Sequence, residues 1–454
     1  MAIRTLLIAN RGEIALRIQR AARELGIRVV QAHSAADRDS LPVRLADAAV
    51  EIGPPPARRS YLSIPALIEA ARRTGADAIH PGYGFLAENG EFADACEAAG
   101  ITFVGPNGDV IRAMGDKVQA RRIAAEAGVP TVPGSPGRIH ELAEAEPILA
   151  RTGFPVMIKA AAGGGGRGIR IARDREELAR LWPQARAEAL AAFGDGGLYL
   201  EQRVERARHL EVQVLGDGER VIHLFERDCS LQRRRQKLWE EAPAARLDPE
   251  IRRALCAAAV RLAEAVRYQG AGTVEFLFDE AGGSFYFLEM NTRIQVEHPV
   301  SEEITGVDLV KAMLEIAGGE RLRWRPEEIE PRGHAIEVRI NAEDPARDFA
   351  PHPGRVSGLR LPGGPGVRID TALFAGYEVP PFYDSLLAKL VVRGADRAEA
   401  LARLERALGE FEIEGIPTTA GLHRLLARAP ETRSWTVHTA WLEPWLEANR
   451  DRLT

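Results

Sequence analysis

The 454-residue sequence predicts a mixed fold, α/β and α+β, over about three domains. Three observations carry that prediction. The opening segment alternates short apolar runs with helical periodicity, as βα units do. The central segment holds two runs rich in β-branched and aromatic residues, 272–279 and 285–291, on either side of a Gly-Gly connection, which is the pattern of a β-hairpin. Past Arg332 the texture changes to period-2 alternation broken by Pro and Gly clusters, which marks a mostly β unit. The expected domains are 1–114, 115–330 and 331–454.

Composition narrows the function classes. Sixty basic residues against 65 acidic give a net charge of −5 without any basic block, so a nucleic-acid partner is not expected. Cys96, Cys229 and Cys256 lack C-x-x-C spacing and read as structural thiols in a reducing compartment. The apolar run at the start is too short for a signal peptide, and no later run reaches membrane-spanning length. A cytoplasmic protein with no membrane partner is expected. Only five of the 60 basic residues are lysine: Lys117, Lys159, Lys237, Lys311 and Lys389. On a solvated face Arg replaces Lys with little loss, whereas a compact ammonium inside a phosphate site is not interchangeable with a planar fork. The position of each lysine is therefore informative, with chance survival in an arginine-biased chain as the alternative.

Residues 5–9 read as a strand, 13–25 as a helix and 28–32 as a second strand, a Rossmann-like βαβ opening. Its turn, ANRGE, lacks G-x-G-x-x-G, so a dinucleotide dehydrogenase loses its main support. Strands at 76–79 and 101–104 and a helix over 91–99 continue the alternation. His80 and Tyr83, in HPGYG, stand at the carboxyl end of a strand, where open α/β sheets bind ligands. His80 is read as a structural turn residue, with a ligand role as the alternative.

Residues 115–128 read as a helix with Lys117 in its first turn, beside the positive end of the dipole, an odd place for an ammonium unless it faces an anion. The strand 155–160 ends in Lys159 and enters AAAGGGGRG, where Gly163 to Gly166 let backbone amides close on phosphate before a strand resumes at 168–172. This is not a Walker A loop, because Ile169 stands where the lysine belongs and a strand follows where a helix should. A flexible hairpin would have the same glycines; Lys159 just before them favours phosphate.

In LYLEQRV, 198–204, Glu201 is polar amid apolar neighbours, and in HLEVQV, 209–214, His209, Glu211 and Gln213 share one face, turned to a cleft or to solvent. RDCSLQRRRQK, 227–237, ends in Lys237, and its four arginines indicate a solvated turn. A helix over 249–266 leads to the hairpin. Pairing Asp279 with Phe285 there puts Glu275 opposite Glu289, with Asn291 two residues further along the same face. Facing carboxylates repel, and a hard divalent cation such as Mg2+ removes the conflict. An exposed acidic hairpin whose register differs by one is the alternative. Arg293, Gln295, Glu297 and His298 follow at once, an arginine fork for a planar oxyanion beside a carboxylate able to act as base. Beyond them Glu337, Arg339 and Asn341 share one strand face, and helices over 397–408 and 421–426 close the chain.

Taken in order, IANRGEIALRI, HPGYGFLAEN, KAAAGGGGRGIRI, RDCSLQRRRQK, EAPA, GTVEFLF, LEMNTRIQVEHPV, GHAIEVRINAED and YDSLLAKL resemble biotin carboxylase, the ATP-grasp component of biotin-dependent carboxylases. The resemblance covers nearly the whole chain. It implies an ATP-grasp domain with a mobile glycine-rich lid over about residues 131–203, between the N-terminal domain and a C-terminal biotin carboxylase domain. Carried over residue by residue, Lys117, Lys159, Gly165, Gly166, Glu201, Gln202, Arg203, Val204, His209 and Arg235 would hold ATP, and Glu275, Glu289 and Asn291 would hold Mg2+ or Mn2+. Lys237, Arg293, Gln295 and the Val296 amide resemble a bicarbonate site. Glu297 resembles the base, and Arg339 the residue that stabilises carboxylation intermediates. Arg235 departs from the His or Asn common in the family, and Gln202 and Arg203 stand where Lys and an aromatic residue are common.

The implied reaction is ATP- and bicarbonate-dependent carboxylation of biotin through carboxyphosphate. Biotin would ride on a separate biotin carboxyl carrier protein, a carboxyltransferase would complete the reaction, and the chain would form a homodimer. Two rival classes are another ATP-grasp carboxylate–amine ligase and a non-catalytic nucleotide-binding relative.

Overall fold

The computed structural model describes residues 2–160 and 169–453. The expected βα alternation opens the chain. Strands β1 (Thr5–Ile8), β2 (Arg28–Ser34), β3 (Ala48–Gly53), β4 (Ala78–His80) and β5 (Thr102–Phe103) form a parallel sheet of order β3-β2-β1-β4-β5. Past their first residues β1 and β2 are buried on both faces, as a sheet covered on both sides requires, whereas the edge strand β3 is half exposed. Helix Gly12–Glu24 lays Ile14 and Ile18 into one cluster with Val310 and Leu314 of helix Leu309–Ala317, which fastens this sheet to the centre of the molecule. The turn after β1 is laced to the loop after β4, because Asn10 Nδ2 donates to the carbonyls of Pro81 and Tyr83 at 2.6 and 2.7 Å. Gly82 is needed there: its φ is +63°, and a Cβ would come within 2.9 Å of Asn10 Nδ2. His80 is fully buried, its Nδ1 accepts from the Gly82 N–H at 3.0 Å, and burial pushes its pKa down to about 3. It is a structural turn residue.

A small antiparallel sheet, β7-β6-β8, follows, from β6 (Val156–Ala160), β7 (Arg170–Ala172) and β8 (Leu198–Gln202). Val156, Ile158, Leu198 and Leu200 pack with Ile148, Leu149 and Trp182 of the helices Glu146–Thr152 and Arg175–Phe193.

The largest sheet has eight strands. Six of them are β9 (Ala207–Asp217), β10 (Val221–Arg233), β11 (Gln236–Ala242), β12 (Gln269–Asp279), β13 (Ser284–Asn291) and β14 (His334–Asn341). The order is β13-β12-β9-β10-β11-β14, followed by Leu386–Gly394 and Val367–Thr371. Every residue of β9 is buried. Leu210, Val212 and Val214 face helix Pro249–Ala265; on the other face His209 lines the cleft, and Glu211 and Gln213 are fully buried against Arg227.

The change of texture past Arg332 is no break in this sheet. Trp239 pairs with Val338 and Glu240 with Glu337, so β14 continues it. The alternation there reflects one face, Ile336, Val338 and Ile340, packed on Leu401 and Leu404 of helix Arg397–Glu410, and a polar face turned inward.

The hairpin register differs from expectation at its tip and agrees at its functional end. Asp279 pairs with Ser284 rather than Phe285, and Leu288 is an extra residue between the pairs Phe276–Phe287 and Glu275–Glu289. That bulge restores Glu275 opposite Glu289 and sets Asn291 opposite Thr273. All three cysteines are buried and free. No helix among the described residues is long and apolar enough to cross a membrane.

Candidate active site

Four adjacent strands place a row of charge across the sheet. Arg227 pairs with Glu211, Glu211 with Glu275, and Glu275 with Glu289, from β10 through β9 and β12 to β13. Successive carboxylates in a ladder destabilise it unless cations intervene. Lys237 supplies one: its Nζ donates to Glu211 Oε2 at 2.5 Å, Glu297 Oε1 at 2.7 Å and Glu275 Oε1 at 2.8 Å. Arg227 supplies the other. Its five donors meet Glu211 (2.6 Å), Gln213 (2.7 Å), Ser301 (3.0 Å), Thr273 (3.0 Å) and Gln295 (3.1 Å). The solvated turn expected around it is confined to Arg234 and Arg235; Arg233 lies over the Phe349 ring, and Arg227 is fully buried.

The titration of these groups follows from the row. Burial opposes ionisation of Glu275, yet Lys237 and His209 outweigh it and hold the carboxyl well below the usual range. Glu211 is held well below its usual range in the same way, by Lys237 and Arg227 against burial. Burial works against the His209 imidazolium, but Glu275 raises its pKa to about 9; the two approach to 3.2 Å. Glu289 goes the other way, raised by burial and then by Glu275. It is open to the cleft, and among the described residues it takes part in no ion pair. The ligand atoms of His209, Glu211 and Glu275 also lie within 4.8 Å of one another, but Lys237 already lies against both carboxylates. Glu289, Glu275 and the Asn291 amide, whose Nδ2 donates to Glu275 Oε1 at 2.9 Å, form an oxygen-rich edge of the kind a hard divalent cation takes.

These side chains line a cleft of about 710 Å³. At one end Lys117 occupies the first turn of helix Lys117–Glu126, where burial lowers its pKa against the pull of Glu289. Lys159, at the end of β6, is ion-paired with Glu201, which Arg121 also contacts. Met157, Ile169, Tyr199, Leu277, Phe287 and Leu288 give this end an apolar wall suited to a flat heterocycle. Sequence reasoning missed them because alternate apolar residues in strands look like ordinary core. Val204 and Arg235 line the cleft, whereas Gln202 and Arg203 do not; their N–H groups donate to the carbonyls of Pro133 and Pro155 at 2.8 and 3.0 Å. Gly165 and Gly166 lie outside the described residues.

At the other end lies the loop after β13, where an anion site is expected. Arg293 Nε donates to Glu88 Oε2 at 2.9 Å, its NH2 reaches Asn291 Oδ1 at 3.2 Å, and the Thr292 N–H donates to Glu88 Oε1 at 3.1 Å. Glu88, from HPGYGFLAEN, was not read as a site residue. Gln295 Nε2 donates to Glu275 at 3.0 Å, and Val296 lines the cleft beside it. Glu297 has both oxygens engaged, one by Lys237 and the other by Arg339 at 3.0 Å. Burial opposes its ionisation, and these two cations nevertheless keep its pKa low. Arg339 is fixed from behind by Glu240 at 2.7 Å, and burial brings the Glu240 carboxyl up to about 7. His298, crowded into the same stretch, belongs to the core: it is fully buried with Nδ1 2.6 Å from the Gln295 carbonyl.

Comparison with known proteins adds a family. The model of the biotin carboxylase N-terminal domain matches residues 2–111, that of the carbamoyl-phosphate synthase L chain ATP-binding domain residues 116–325, and that of the biotin carboxylase C-terminal domain residues 337–444. Biotin carboxylase of Nostoc sp. is 54% identical over 439 residues, 96% of this chain and 98% of that protein. Biotin carboxylase of Pseudomonas aeruginosa is 56% identical over 440 residues, 96% and 97% of the two chains. A pyruvate carboxylase subunit of Methanothermobacter thermautotrophicus is 51% identical over 441 residues, 97% and 89%.

Among solved structures, the biotin carboxylase domain dimer of Hydrogenobacter thermophilus 2-oxoglutarate carboxylase, in complex with MgADP, ADP and bicarbonate, superposes with a TM-score of 0.91 at 47% identity, covering 100% of this chain and 99% of that one. A biotin carboxylase complex with β-γ-ATP from Campylobacter jejuni gives 0.92 at 45% identity, over 97% and 99%. With identities above half over nearly the full length of curated relatives, the chain belongs to the biotin carboxylase family.

Proposed function

We propose that this chain carboxylates biotin held on a separate biotin carboxyl carrier protein, using ATP and bicarbonate, as the first half-reaction of an acetyl-CoA or other acyl-CoA carboxylase. The observation that carries this reading is the position of Glu297. One of its oxygens accepts from Lys237, which also touches Glu275 in the acidic row, and the other accepts from Arg339. A single base thus borders a nucleotide-metal site on one side and a second cationic site on the other, as a two-stage carboxyl transfer needs.

In this reading Lys117, Lys159, Glu201, Val204, His209 and Arg235 hold ATP, with the backbone at Gln202 and Arg203 and the amides of Gly165 and Gly166. Glu275, Glu289 and Asn291 hold Mg2+ or Mn2+, which when bound neutralises charge on the phosphate oxygens. Arg293, Gln295, Lys237 and the Val296 amide orient bicarbonate. Phosphate oxygens draw Lys237 from its carboxylates, so Glu297 loses a neighbouring cation and its proton affinity rises toward that of a useful base.

Glu297 takes the bicarbonate proton, the freed oxygen attacks the γ-phosphorus, and the bond to the ADP oxygen breaks, leaving carboxyphosphate. Carboxyphosphate parts into CO2 and phosphate, phosphate takes the ureido proton, and the nitrogen captures CO2 while Arg339 stabilises the developing oxyanion. The segment 131–203 serves as the lid that keeps water from these intermediates, within a division at 1–114, 115–330 and 331–454.

The partners follow from the lysines and the relatives. No lysine of this chain lies in a Met-Lys-Met context, so none of the five is the biotin-bearing lysine in this reading. The similar proteins include a domain of a 2-oxoglutarate carboxylase and one component of a pyruvate carboxylase, so the choice of acceptor rests with a separate carboxyltransferase. The similar dimer supports a homodimer, and three buried free thiols fit a cytoplasmic location. ADP release that requires bicarbonate and rises with free biotin tests the reading. A carboxylate–amine ligase would ignore biotin, and a non-catalytic relative would release no ADP.

A further inference from the structure

Lys389 has none of the roles above, yet it is one of five lysines and is fully buried. Its strand, Leu386–Gly394, lies between β14 and Val367–Thr371, with Lys389 opposite Arg339 on one side and opposite Asp370 on the other. Opposed residues of a ladder project to the same face. Arg339, Lys389 and Asp370 therefore form a second charged row, beneath the loop that carries Arg293 to Glu297. The ammonium reaches that loop: Nζ donates to the Val296 carbonyl at 3.0 Å, with Glu13 Oε1 at 3.2 Å and Asp370 Oδ2 at 3.7 Å as counter-charges. The held peptide joins Val296 to Glu297, and Gln295 just before it donates to Glu275.

The fold does not need this charge for its own neutrality. Asp370 keeps two bonds from Arg368, at 3.0 and 2.8 Å, and Glu13 keeps the Tyr83 hydroxyl. Removing Lys389 together with the Glu13 charge takes one charge of each sign out of the core; Glu337, the other buried carboxyl that Lys389 acts on, is held well above the usual carboxylate range by burial, and well-packed apolar groups replace buried ion pairs without loss in many proteins. The contact that an apolar side chain cannot make is the one to the Val296 carbonyl.

We propose that Lys389 is a positioning residue for the bicarbonate subsite, holding the Val296–Glu297 peptide so that the base and the Val296 N–H keep their bearing on the bound anion. Its role rests on the assignment of residues 293–297 to bicarbonate. Steady-state kinetics and thermal unfolding of the full chain carrying Lys389→Met, alone and with Glu13→Gln, test it. The single variant loses stability, and the double variant regains most of it. In both, KM for bicarbonate stays about tenfold or more above wild type while KM for MgATP moves less than about twofold. A bicarbonate KM that recovers along with stability, a parallel rise of both KM values, or a double variant that does not fold would each overturn it, because each makes Lys389 part of the core alone. Lack of bicarbonate-dependent ADP release in the wild type would refute the functional assignment itself, whereas unsplit KM values in active variants refute only the role of Lys389.

Discussion

Replacing Glu289 and Glu275 separately by Gln distinguishes the two ends of the acidic pair. From sequence alone either change relieves the same repulsion. The structure separates them, because Glu275 accepts from Lys237, Asn291 and Gln295 at 2.8, 2.9 and 3.0 Å, whereas Glu289 takes part in no ion pair among the described residues. Glu289→Gln removes a like charge from beside Glu275, offset in part by its pull on Lys117, and such cross-strand pairs are worth about 0.2–1 kcal/mol. Because Glu289 is open to the cleft the low end applies, so Tm of the metal-free protein holds or rises by a few tenths of a degree.

Glu275→Gln removes the anion that Lys237 and His209 need, and hydrogen bonds to charged groups contribute about 1.5–3 kcal/mol. At about 1 °C per kcal/mol for a chain of this length, Tm falls by about 2–3 °C. The pH dependence has a definite sign. The folded-state pKa of Glu289 is raised, so the wild type loses stability as pH rises from the usual carboxylate range through that raised value. The advantage of Glu289→Gln is therefore full at alkaline pH and vanishes below the usual range. Thermal unfolding in a chelator across pH measures both. A Tm for Glu289→Gln as low as that for Glu275→Gln would refute this account of the hairpin.

Lys117→Arg and Lys159→Arg should each weaken MgATP binding or turnover by about 1.4 kcal/mol, tenfold, or more, although charge is kept; KM and kcat for ATP measure it. Lys311, whose partner is the exposed Glu24, should accept Arg within about 0.5 kcal/mol in denaturant unfolding. Arg227→Met leaves Glu211 with Lys237 as its remaining cation and four neutral acceptors without their donor in the core, and should cost about 3–5 kcal/mol in the same unfolding assay.

What could be read from the sequence was local. Period and spacing located β1, β2, β4 and β5 but not β3, and the lysine count led to Lys117, Lys159 and Lys237, all of which line the cleft. The Glu275–Glu289 pairing was legible because facing acids are conspicuous, but the bulge at Leu288 that produces it has no local signal. Arg227 was misjudged because it stands among arginines that are solvated, while its burial is decided by Glu211, Thr273, Gln295 and Ser301, which reach it only through strand pairing. Lys389 was set aside for the same reason: its partners Glu13, Val296 and Asp370 come from three distant segments. Sheet continuity across β11 and β14 is likewise a long-range fact, which a local change of texture concealed.

The most direct test of the central claim, that Glu297 stands between an ATP half-site and a biotin half-site, is to measure both half-reactions in Arg339→Ala. Arg339 contacts Glu297 and Glu240 but no member of the acidic row, so its loss spares the nucleotide side. Bicarbonate-dependent ATP cleavage without biotin should remain within about tenfold of wild type, while carboxybiotin formation falls by about a hundredfold or more, about 2.7 kcal/mol of transition-state stabilisation. Loss of both half-reactions in equal proportion would contradict the account.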